Sequence, residues 1–395
     1  ITEREANLLN DTREDFLKHN SHPTAFIKDI PWKKGDILVQ KELAQTLKLI
    51  QKQGQKAFYE GKNAQLLVSE MKRGNGIITL EDLKNYKTKE RKALQFDYKN
   101  HEIVSMPLPS SGGILLAQML KMSSFENLEN FRQNSPEAVQ VMVEAERRAF
   151  ADRAEFMGDP DFIEDKTQML ISEEYLKNRW KNFSFEKATP SAEVGKIIAQ
   201  PKESTETTHI SIIDKFGNAV AVTTTLNGLY GSKVVVKGGG YFLNNEMDDF
   251  SVKPGVPNMF GAVGGEANKI EPNKRMLSSM TPTIVLKNGK PYIVVGTPGG
   301  TTIPTSVYQS IVNVIDFKMT PSSAVNSAKF HHQWLPEVVF VEKKFPENTL
   351  KILEQKNYKF EKRGGIGRTE MIVIDENGNA TAVADSRGDD SVAVE

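Results

Sequence analysis

Two threonines, Thr207 and Thr225, are the residues whose types and spacing first indicate covalent chemistry. A three-residue turn at positions 215–217, with its glycine in the left-handed conformation, would join two β-like runs. Counting outward from that turn places Thr207 opposite Thr225, with Cβ atoms about 4.5–5.5 Å apart, so that one hydroxyl could bond the other. The simpler interpretation is a threonine pair on a strand, where β-branched residues are common.

Threonine has no base of its own, but a threonine at a new chain terminus acquires one. If the bond between Glu206 and Thr207 were cut, the freed α-amine, with a pKa of about 7.7–8, could take the proton of the same residue's hydroxyl. Residues 188–206 lack apolar periodicity and aromatic side chains, which predicts a solvated linker able to leave such a site. These features would suit self-cleavage before Thr207 and acyl transfer by its hydroxyl, while the plain threonine pair stays the simpler interpretation of the residues alone.

Acyl transfer also requires donors for a developing oxyanion. Gly299 and Gly300 follow a predicted strand and precede a predicted helix. Adjacent glycines allow backbone N–H groups to face an oxyanion, and the helix N-terminus would add its dipole. A glycine pair of this kind is more often only a turn, so this motif is weak when taken alone.

Composition excludes several other kinds of site. The 395 residues contain no cysteine, which removes disulfides, cysteine-ligated metals and cysteine nucleophiles. The 51 basic and 51 acidic residues cancel, which argues against nucleic acid or an anionic membrane as a partner. Because adjacent side chains diverge, His331 and His332 do not indicate a metal pair. We expect no metal and no cofactor, and we interpret His209 as a structural strand residue.

The elements that must position these residues change character along the chain. The first half is mostly helical, with helices predicted at 41–53 and 136–157 and a capping box at Thr79 and Asp82. The charged cluster 144–153 within the longer helix is expected to be solvated or ion-paired. After Thr207 the sequence predicts three hairpins and one helix, 304–317, and hence an antiparallel sheet with helices packed on it.

Short motifs along nearly the whole chain occur in the order of one known family. They lie at residues 107–113, 149–153, 158–160, 207–209, 217–220, 225–227, 244–250, 272–275, 277–280, 298–300 and 330–336. On these motifs the chain resembles the γ-glutamyltranspeptidases, or glutathione hydrolases, which are N-terminal nucleophile hydrolases. The resemblance implies an α+β fold, a four-layer αββα sandwich. It also implies a precursor that cleaves itself between Glu206 and Thr207.

The resemblance further implies a partial large-subunit segment, 1–206, and a small-subunit catalytic segment, 207–395, interleaved in one domain. Thr207 would attack γ-glutamyl amides such as glutathione and pass the acyl group to water or to an amino-acid or peptide amine. Thr225 matches the threonine that bonds the nucleophile, and Gly299 and Gly300 match the oxyanion-hole glycines.

Five further residues match the family's donor-binding positions. Asn227, Glu246 and Asp249 correspond to the residues that hold the donor's α-ammonium group, whereas Ser278 and Ser279 correspond to those that hold its α-carboxylate. Oxygen acceptors suit an ammonium ion and paired hydroxyls suit a carboxylate. Phe260 occupies a position on a loop that covers the pocket in some members, where others carry a tyrosine.

One departure from the family pattern concerns the start of the chain. Members carry a long region before the stretch that matches Ile1, including an arginine that clamps the donor carboxylate, and we expect this sequence to lack that region. Two alternatives stay open, a non-catalytic and unprocessed binding protein or fragment, and an acylase with altered acyl specificity. The resemblance implies a periplasmic or secreted location and small-molecule γ-glutamyl donors and amine acceptors as partners, with no membrane span.

Overall fold

The computed structural model describes residues 1–195, 206–251 and 265–394. They form two compact units. The first unit comprises Ile1–Arg91 and Leu226–Asn245, and the second comprises Lys92–Thr225 and Glu246–Glu395. None of the helices in the described residues is long and apolar enough to cross a membrane.

The first unit is helical, as the sequence predicts. Its helices are α1 (Glu3–Asp11), α2 (Arg13–His19), α3 (Lys41–Gln53), α4 (Lys56–Tyr59), α5 (Lys62–Arg73) and α6 (Leu80–Asn85). The predicted helix at 41–53 coincides with α3. The predicted capping box is confirmed at the start of α6, because the Asp82 amide donates to the Thr79 hydroxyl and the Thr79 amide donates to the Asp82 carboxylate.

An aromatic core holds the two stretches of the first unit together. Phe16 and Phe26 are buried with Val235, and the two phenylalanine rings lie 5.8 Å apart. Asn20 fixes the register, since its side chain donates to the carbonyl of Lys233 at 2.8 Å and accepts from the amide of Val235 at 2.8 Å. Burial of these rings and the paired amide gives the second stretch, which carries Asn227, a defined position within this unit.

Among its described residues, the second unit contains eleven strands. They are β1 (Leu94–Tyr98), β2 (His101–Ser105), β3 (Thr208–Ile213), β4 (Ala219–Thr224), β5 (Thr283–Lys287), β6 (Lys290–Gly296), β7 (Phe330–His331), β8 (Val339–Glu342), β9 (Phe360–Arg363), β10 (Glu370–Ile374) and β11 (Ala380–Val383). The main sheet has the order β1-β2-β5-β6-β10-β11 and is antiparallel throughout. The three predicted hairpins are confirmed as β3–β4, β5–β6 and β10–β11.

Two strands of the main sheet come from the half of the chain that the sequence predicts as helical. In β1, Leu94, Phe96 and Tyr98 are buried while the residues between them are exposed. This alternation is the period-two signal of a half-buried strand and could have been found in the sequence. Because β2 pairs with β5, strands from both sides of Thr207 share one sheet.

Helices pack on this sheet and complete an α+β fold. The helices of the second unit are α7 (Gly112–Ser123), α8 (Pro136–Phe156), α9 (Thr167–Leu170), α10 (Glu173–Trp180), α11 (Ser191–Val194), α12 (Thr302–Ile315), α13 (Pro321–Asn326) and α14 (Glu347–Glu354). α7 contacts β1 and β2, α12 contacts β6, and α8 packs on α7. The predicted helices at 136–157 and 304–317 correspond to α8 and α12.

The charged cluster of α8 is buried rather than solvated, and four of its side chains are ion-paired. Glu144 is 0% exposed and forms ion pairs with Arg147 and Arg148, which are 2% and 0% exposed. Asp152, also buried, pairs with Arg179 of α10 at 2.9 Å. The sequence offered two interpretations, and the solvated one is wrong because partners from outside α8 enclose these side chains.

The β3–β4 hairpin packs against β6 and β10. Its register runs from Thr208 opposite Thr224 to Ile213 opposite Ala219, and Gly217 has a φ of +84°, as predicted for the turn. One face of the hairpin carries small or polar residues toward the main sheet. The other face carries side chains that are 44–52% exposed, namely Ile210, Ile212, Val220 and Val222.

Candidate active site

The hairpin brings the two predicted threonines together. The Thr207 hydroxyl donates to the Thr225 hydroxyl at 3.3 Å, and the Thr225 hydroxyl donates to the carbonyl oxygen of Glu206 at 3.2 Å. The three groups form a hydrogen-bonded chain that ends on the carbonyl of the bond predicted to be cut. A donor on that oxygen would stabilise the negative charge that develops during attack on the carbonyl carbon.

His209 lies at the junction of the hairpin and the main sheet. Its Nε2 donates to the hydroxyl of Ser211 at 3.1 Å, because that hydroxyl donates onward to the carbonyl of Glu370, and its Nδ1 accepts from Thr223 at 2.7 Å. Burial lowers the pKa of His209 to about 4, so the ring is neutral at pH 7. These contacts support the interpretation of His209 as a structural strand residue.

Gly296, at the end of β6, explains how closely the hairpin approaches the sheet. A Cβ atom at this position would lie 2.2 Å from Cε1 of His209, so only a glycine accommodates the ring. Thr207 lies two positions before His209, and the predicted oxyanion turn begins three positions after Gly296. This contact therefore packs the start of β3, which follows Thr207, against the end of β6, from which the glycine turn continues.

The glycine turn has a backbone that side chains would disfavour. Gly299 has a φ of +141° and Gly300 a φ of +57°, and a Cβ atom on Gly299 would lie 2.3 Å from the hydroxyl of Thr302. The carbonyl of Gly299 accepts from both the amide and the hydroxyl of Thr302, at 3.0 and 2.8 Å. The turn is thus fixed to the first residue of α12, whose positive dipole end adjoins it.

A chain of buried polar side chains holds the residue that follows this turn. The Thr301 hydroxyl donates to Oε1 of Gln333 at 2.6 Å, and Nε2 of His331 donates to the same oxygen at 2.9 Å. Nδ1 of His331 lies 2.9 Å from the hydroxyl of Thr305. Burial lowers the pKa of His331 to about 4, so this ring is also neutral at pH 7. Sequence reasoning singled out the motif 330–336 but missed this role.

The predicted carboxylate-binding serines are held by the loop at 107–113. The amide of Ser111 donates to the carbonyl of Ser278 at 2.8 Å, and the amide of Ser278 donates to the carbonyl of Pro109 at 2.8 Å. The Ser111 hydroxyl also donates to the carbonyl of Ser278, at 2.8 Å. Sequence reasoning gave this loop no role, and the structure shows that it fixes the backbone beneath Ser278 and Ser279.

Arg153 of α8 reaches the same pair of serines. Its Nε donates to the hydroxyl of Ser111 at 3.1 Å and its Nη2 donates to the hydroxyl of Ser279 at 3.3 Å. The side chain is buried, which lowers the pKa of Arg153 to about 10, and the charge of Asp249 opposes that shift. The guanidinium is therefore a buried cation beside a predicted carboxylate site.

Glu246 and Asp249 lie on a short 3₁₀ turn, Glu246–Asp249. Burial and the charge of Glu246 raise the pKa of Asp249 to about 7, whereas Arg153 opposes the rise. Burial also raises the pKa of Glu246. Asn268 connects this turn to the serines, because its side chain donates to the carbonyl of Asp249 at 2.7 Å and accepts from the amide of Leu277 at 3.0 Å.

The remaining predicted residues lie elsewhere. Asn227 belongs to the first unit, has a φ of +71° and donates to the carbonyl of Asn245 at 3.1 Å. Phe260 lies outside the described residues, as does most of the predicted linker at 188–206. Within the described parts of the chain, no group of three or more histidine or carboxylate side chains could hold a metal ion.

A layered α+β fold with a hydroxyl nucleophile candidate at the head of an internal strand defines the N-terminal nucleophile hydrolases as the class. The chain belongs to one family of this class, because the family model described as "Gamma-glutamyltranspeptidase" matches residues 1–395. The family and the fold class expected from the sequence are confirmed.

Two known proteins with similar sequences carry the same name. The chain is 44% identical over 399 residues to "Glutathione hydrolase proenzyme" of Escherichia coli (strain K12), covering 98% of this chain and 69% of that protein. It is 42% identical over 363 residues to the protein of the same name from Pseudomonas sp. (strain A14), covering 91% of this chain and 63% of that one. The chain thus spans about two thirds of the length of these relatives.

A solved structure supports the fold independently of close sequence similarity. The cephalosporin acylase from Bacillus halodurans superposes with a TM-score of 0.83 over 100% of this chain and 71% of that one, at 22% identity. At this identity the likeness shows a shared fold and does not indicate a shared substrate.

Proposed function

We propose that this protein is a self-processing γ-glutamyl transferase and hydrolase that cleaves glutathione and other γ-glutamyl amides through a γ-glutamyl–Thr207 intermediate. The observation that carries the proposal is the hydrogen-bonded chain from Thr207 through Thr225 to the carbonyl of Glu206. Membership of the γ-glutamyltranspeptidase family and relatives named glutathione hydrolase proenzymes support the substrate and the precursor step.

The first reaction in this proposal is self-cleavage. The Thr207 oxygen attacks the carbonyl carbon of Glu206, and the Thr225 hydroxyl stabilises the oxyanion. The C–N bond breaks, an ester forms on Thr207, and the proton lost by the hydroxyl is taken up by the new amine. Water then hydrolyses the ester, which leaves a carboxylate on Glu206 and a free α-amine and hydroxyl on Thr207.

The second reaction uses the free amine of Thr207 as its base. The amine accepts the hydroxyl proton while the oxygen attacks the γ-carbonyl carbon of the donor. Backbone N–H groups of Gly299 and Gly300 stabilise the tetrahedral oxyanion, aided by the dipole of α12. The leaving amine takes the proton from Thr207, and water or an acceptor amine then attacks the γ-glutamyl ester by the same route in reverse.

Donor recognition in this proposal divides between two charged groups. Asp249, Glu246 and Asn227 accept hydrogen bonds from the α-ammonium group. Ser278 and Ser279 donate to the α-carboxylate. The family resemblance supports a periplasmic or secreted location for the protein.

The test follows Thr207 through maturation and turnover. Incubation of the purified chain should give two bands on a denaturing gel, with Thr207 as the new N-terminal residue and turnover of L-γ-glutamyl-p-nitroanilide. Thr207→Ala should remain uncut and lose more than about 10³-fold of the activity. The matched control Thr224→Ala, an exposed position of β4, should mature and turn over like the wild type.

Three outcomes would overturn the proposal. A Thr207→Ala protein that matured normally would remove Thr207 as the cleaving group. A single 44.1 kDa species without anilide turnover would favour a non-catalytic protein, and maturation with turnover of a different acyl amide alone would favour an altered acylase. The names of the curated relatives do not favour either alternative.

A further inference from the structure

Arg153 differs from the two buried arginines that precede it on α8. Arg147 and Arg148 both pair with Glu144, and Arg147 also pairs with Glu337. Arg153 is only 6% exposed, yet among the described residues no carboxylate oxygen lies within 4.0 Å of its guanidinium. The charge of Asp249 acts on Arg153 only from beyond that distance. A buried cation is costly unless it is paired, so this position favours an anion at contact distance, which the described residues do not supply.

The hydrogen bonds around Arg153 fix the direction in which the Ser279 hydroxyl can donate. Nη2 of Arg153 donates to the Ser279 oxygen, which occupies a lone pair of that oxygen and leaves the hydroxyl proton for another acceptor. The hydroxyl oxygen of Ser278 likewise accepts a hydrogen bond, from the amide of Met280 at 3.1 Å, which leaves its proton for another acceptor. The hydroxyl protons of both half-buried serines are therefore left for another acceptor, such as a ligand.

Ser111 couples the arginine to the second serine. Its oxygen accepts from Nε of Arg153, while its single proton is donated to the carbonyl of Ser278. The guanidinium thus contacts Ser279 directly and the backbone of Ser278 through one intermediate hydroxyl. Two hydroxyl groups whose protons remain for another acceptor, backed by a buried positive charge, suit a planar anion with two acceptor oxygens, which is a carboxylate.

We propose that Arg153 is the positioning residue of the donor's α-carboxylate subsite, orienting Ser279 and Ser278 as donors and supplying the charge that selects a carboxylate over a neutral amide. This inference rests on the proposed function and adds to it a residue and a selectivity. The neutral α-carboxamide of the same donor would still accept one hydrogen bond at this site, but it would gain nothing from the buried charge.

The experiment compares two donors in the matured full-length protein. These are L-γ-glutamyl-p-nitroanilide and its α-carboxamide, assayed with the wild type, Arg153→Lys and Arg153→Met. For the carboxylate donor, KM should rise about tenfold in the lysine variant and about a hundredfold in the methionine variant, with kcat changed less than about threefold. KM for the carboxamide should change less than about twofold, and partial retention by lysine identifies charge as one component.

Arg148→Lys is the matched control, since it makes the same substitution in a more buried arginine of the same helix. It should leave the ratio of KM values for the two donors unchanged. Equal fold-changes in KM for both donors in the Arg153 variants would indicate that Arg153 has only a structural role, and this result would overturn the inference. A wild type that turned over neither donor would instead overturn the proposed function.

A second measurement applies if an Arg153 variant fails to mature. The ratio of L-glutamate affinity to L-isoglutamine affinity can be measured by calorimetry in the uncut protein, with Thr207→Ala as the reference. The ratio should fall at least tenfold when Arg153→Met is added to that background. An unchanged ratio in a variant with measurable binding would contradict the inference.

Discussion

Asp249 illustrates how the surroundings of one carboxyl group can set the working pH of a binding site. Burial and the neighbouring charge of Glu246 raise its pKa to about 7, although Arg153 opposes this effect. Only the ionised carboxylate can accept from an ammonium group with full charge assistance. Because the raised pKa leaves the group neutral below about pH 7, the ammonium contact weakens as the pH falls.

We therefore expect the KM of a γ-glutamyl donor to rise about tenfold per unit as the pH falls below about 7. Glu246→Gln removes a nearby negative charge, so it should lower the pKa of Asp249 and shift this rise to lower pH. Steady-state kinetics between pH 5 and pH 9 measure both profiles. The α-amine of Thr207 also titrates near this range, but Glu246→Gln separates the two groups through its effect on Asp249. If the dependence of KM on pH were the same in Glu246→Gln and the wild type, the role of Asp249 would be contradicted.

At this scale the sequence predicted the Thr207–Thr225 contact, but it did not predict the contacts of Arg153. The Thr207–Thr225 pair followed from the turn at Gly217, since a fixed turn sets the register of every residue beyond it. Arg153 lies in a recognised motif, but its contacts to Ser111 and Ser279 join positions 42 and 126 residues away. No local periodicity encodes such contacts.

The glycine turn at Gly299 and Gly300 depends on an element that follows it by some thirty residues. Thr301 and His331 both donate to the side-chain oxygen of Gln333, so one buried amide holds the turn to β7. An oxyanion hole acts through the placement of its N–H groups, and small displacements matter more in the transition state than in the bound substrate.

Gln333→Met should consequently lower kcat by about tenfold while KM changes less than about twofold, because it leaves buried donors on Thr301 and His331 without their acceptor. Steady-state kinetics with L-γ-glutamyl-p-nitroanilide measure the split. Gln140→Met is the control, since Gln140 is equally buried on α8 and donates to the distant carbonyl of Ser184. A loss of kcat of similar size in Gln333→Met and Gln140→Met would indicate general destabilisation instead.

Elements were predicted best where the pattern was strong and local. Helix α3, the capping box of α6 and the three hairpins carry their signals within a few residues. β1 and β2 were missed although the alternation of Leu94, Phe96 and Tyr98 was visible. The burial of the α8 charges was not predictable, because Glu144 receives its further contact from Tyr358, far along the chain.

At the scale of the whole molecule, the bond before Thr207 lies between parts of the chain that are folded together. β2 pairs with β5 at Glu102–Leu286, Ile103–Val285 and Val104–Ile284, so the main sheet contains strands from both sides of this bond. Helix α8 also contacts α14. The carboxylate of Glu146 on α8 accepts a hydrogen bond from the amide of His332 at 2.8 Å. Cutting the chain at Glu206 would leave these contacts intact.

The two segments should therefore stay associated after cleavage. Size-exclusion chromatography in native buffer should give one peak that contains both bands, because the shared sheet and core are cooperative. The segments should separate only in denaturant. Thr207→Ala serves as the uncut reference and should elute at the same volume. Two native peaks of lower mass would contradict the prediction.

The hydrogen-bonded chain that links Thr207, Thr225 and the carbonyl of Glu206 has a kinetic consequence. Nucleophile, donor and target all belong to one polypeptide, so the first reaction in the proposed sequence is unimolecular and its half-time does not depend on dilution. Each molecule performs that reaction once and destroys its substrate in doing so. The hydroxyl of Thr225 would thus serve two successive reactions, first on its own backbone and then, repeatedly, beside a nucleophile that has become a chain terminus.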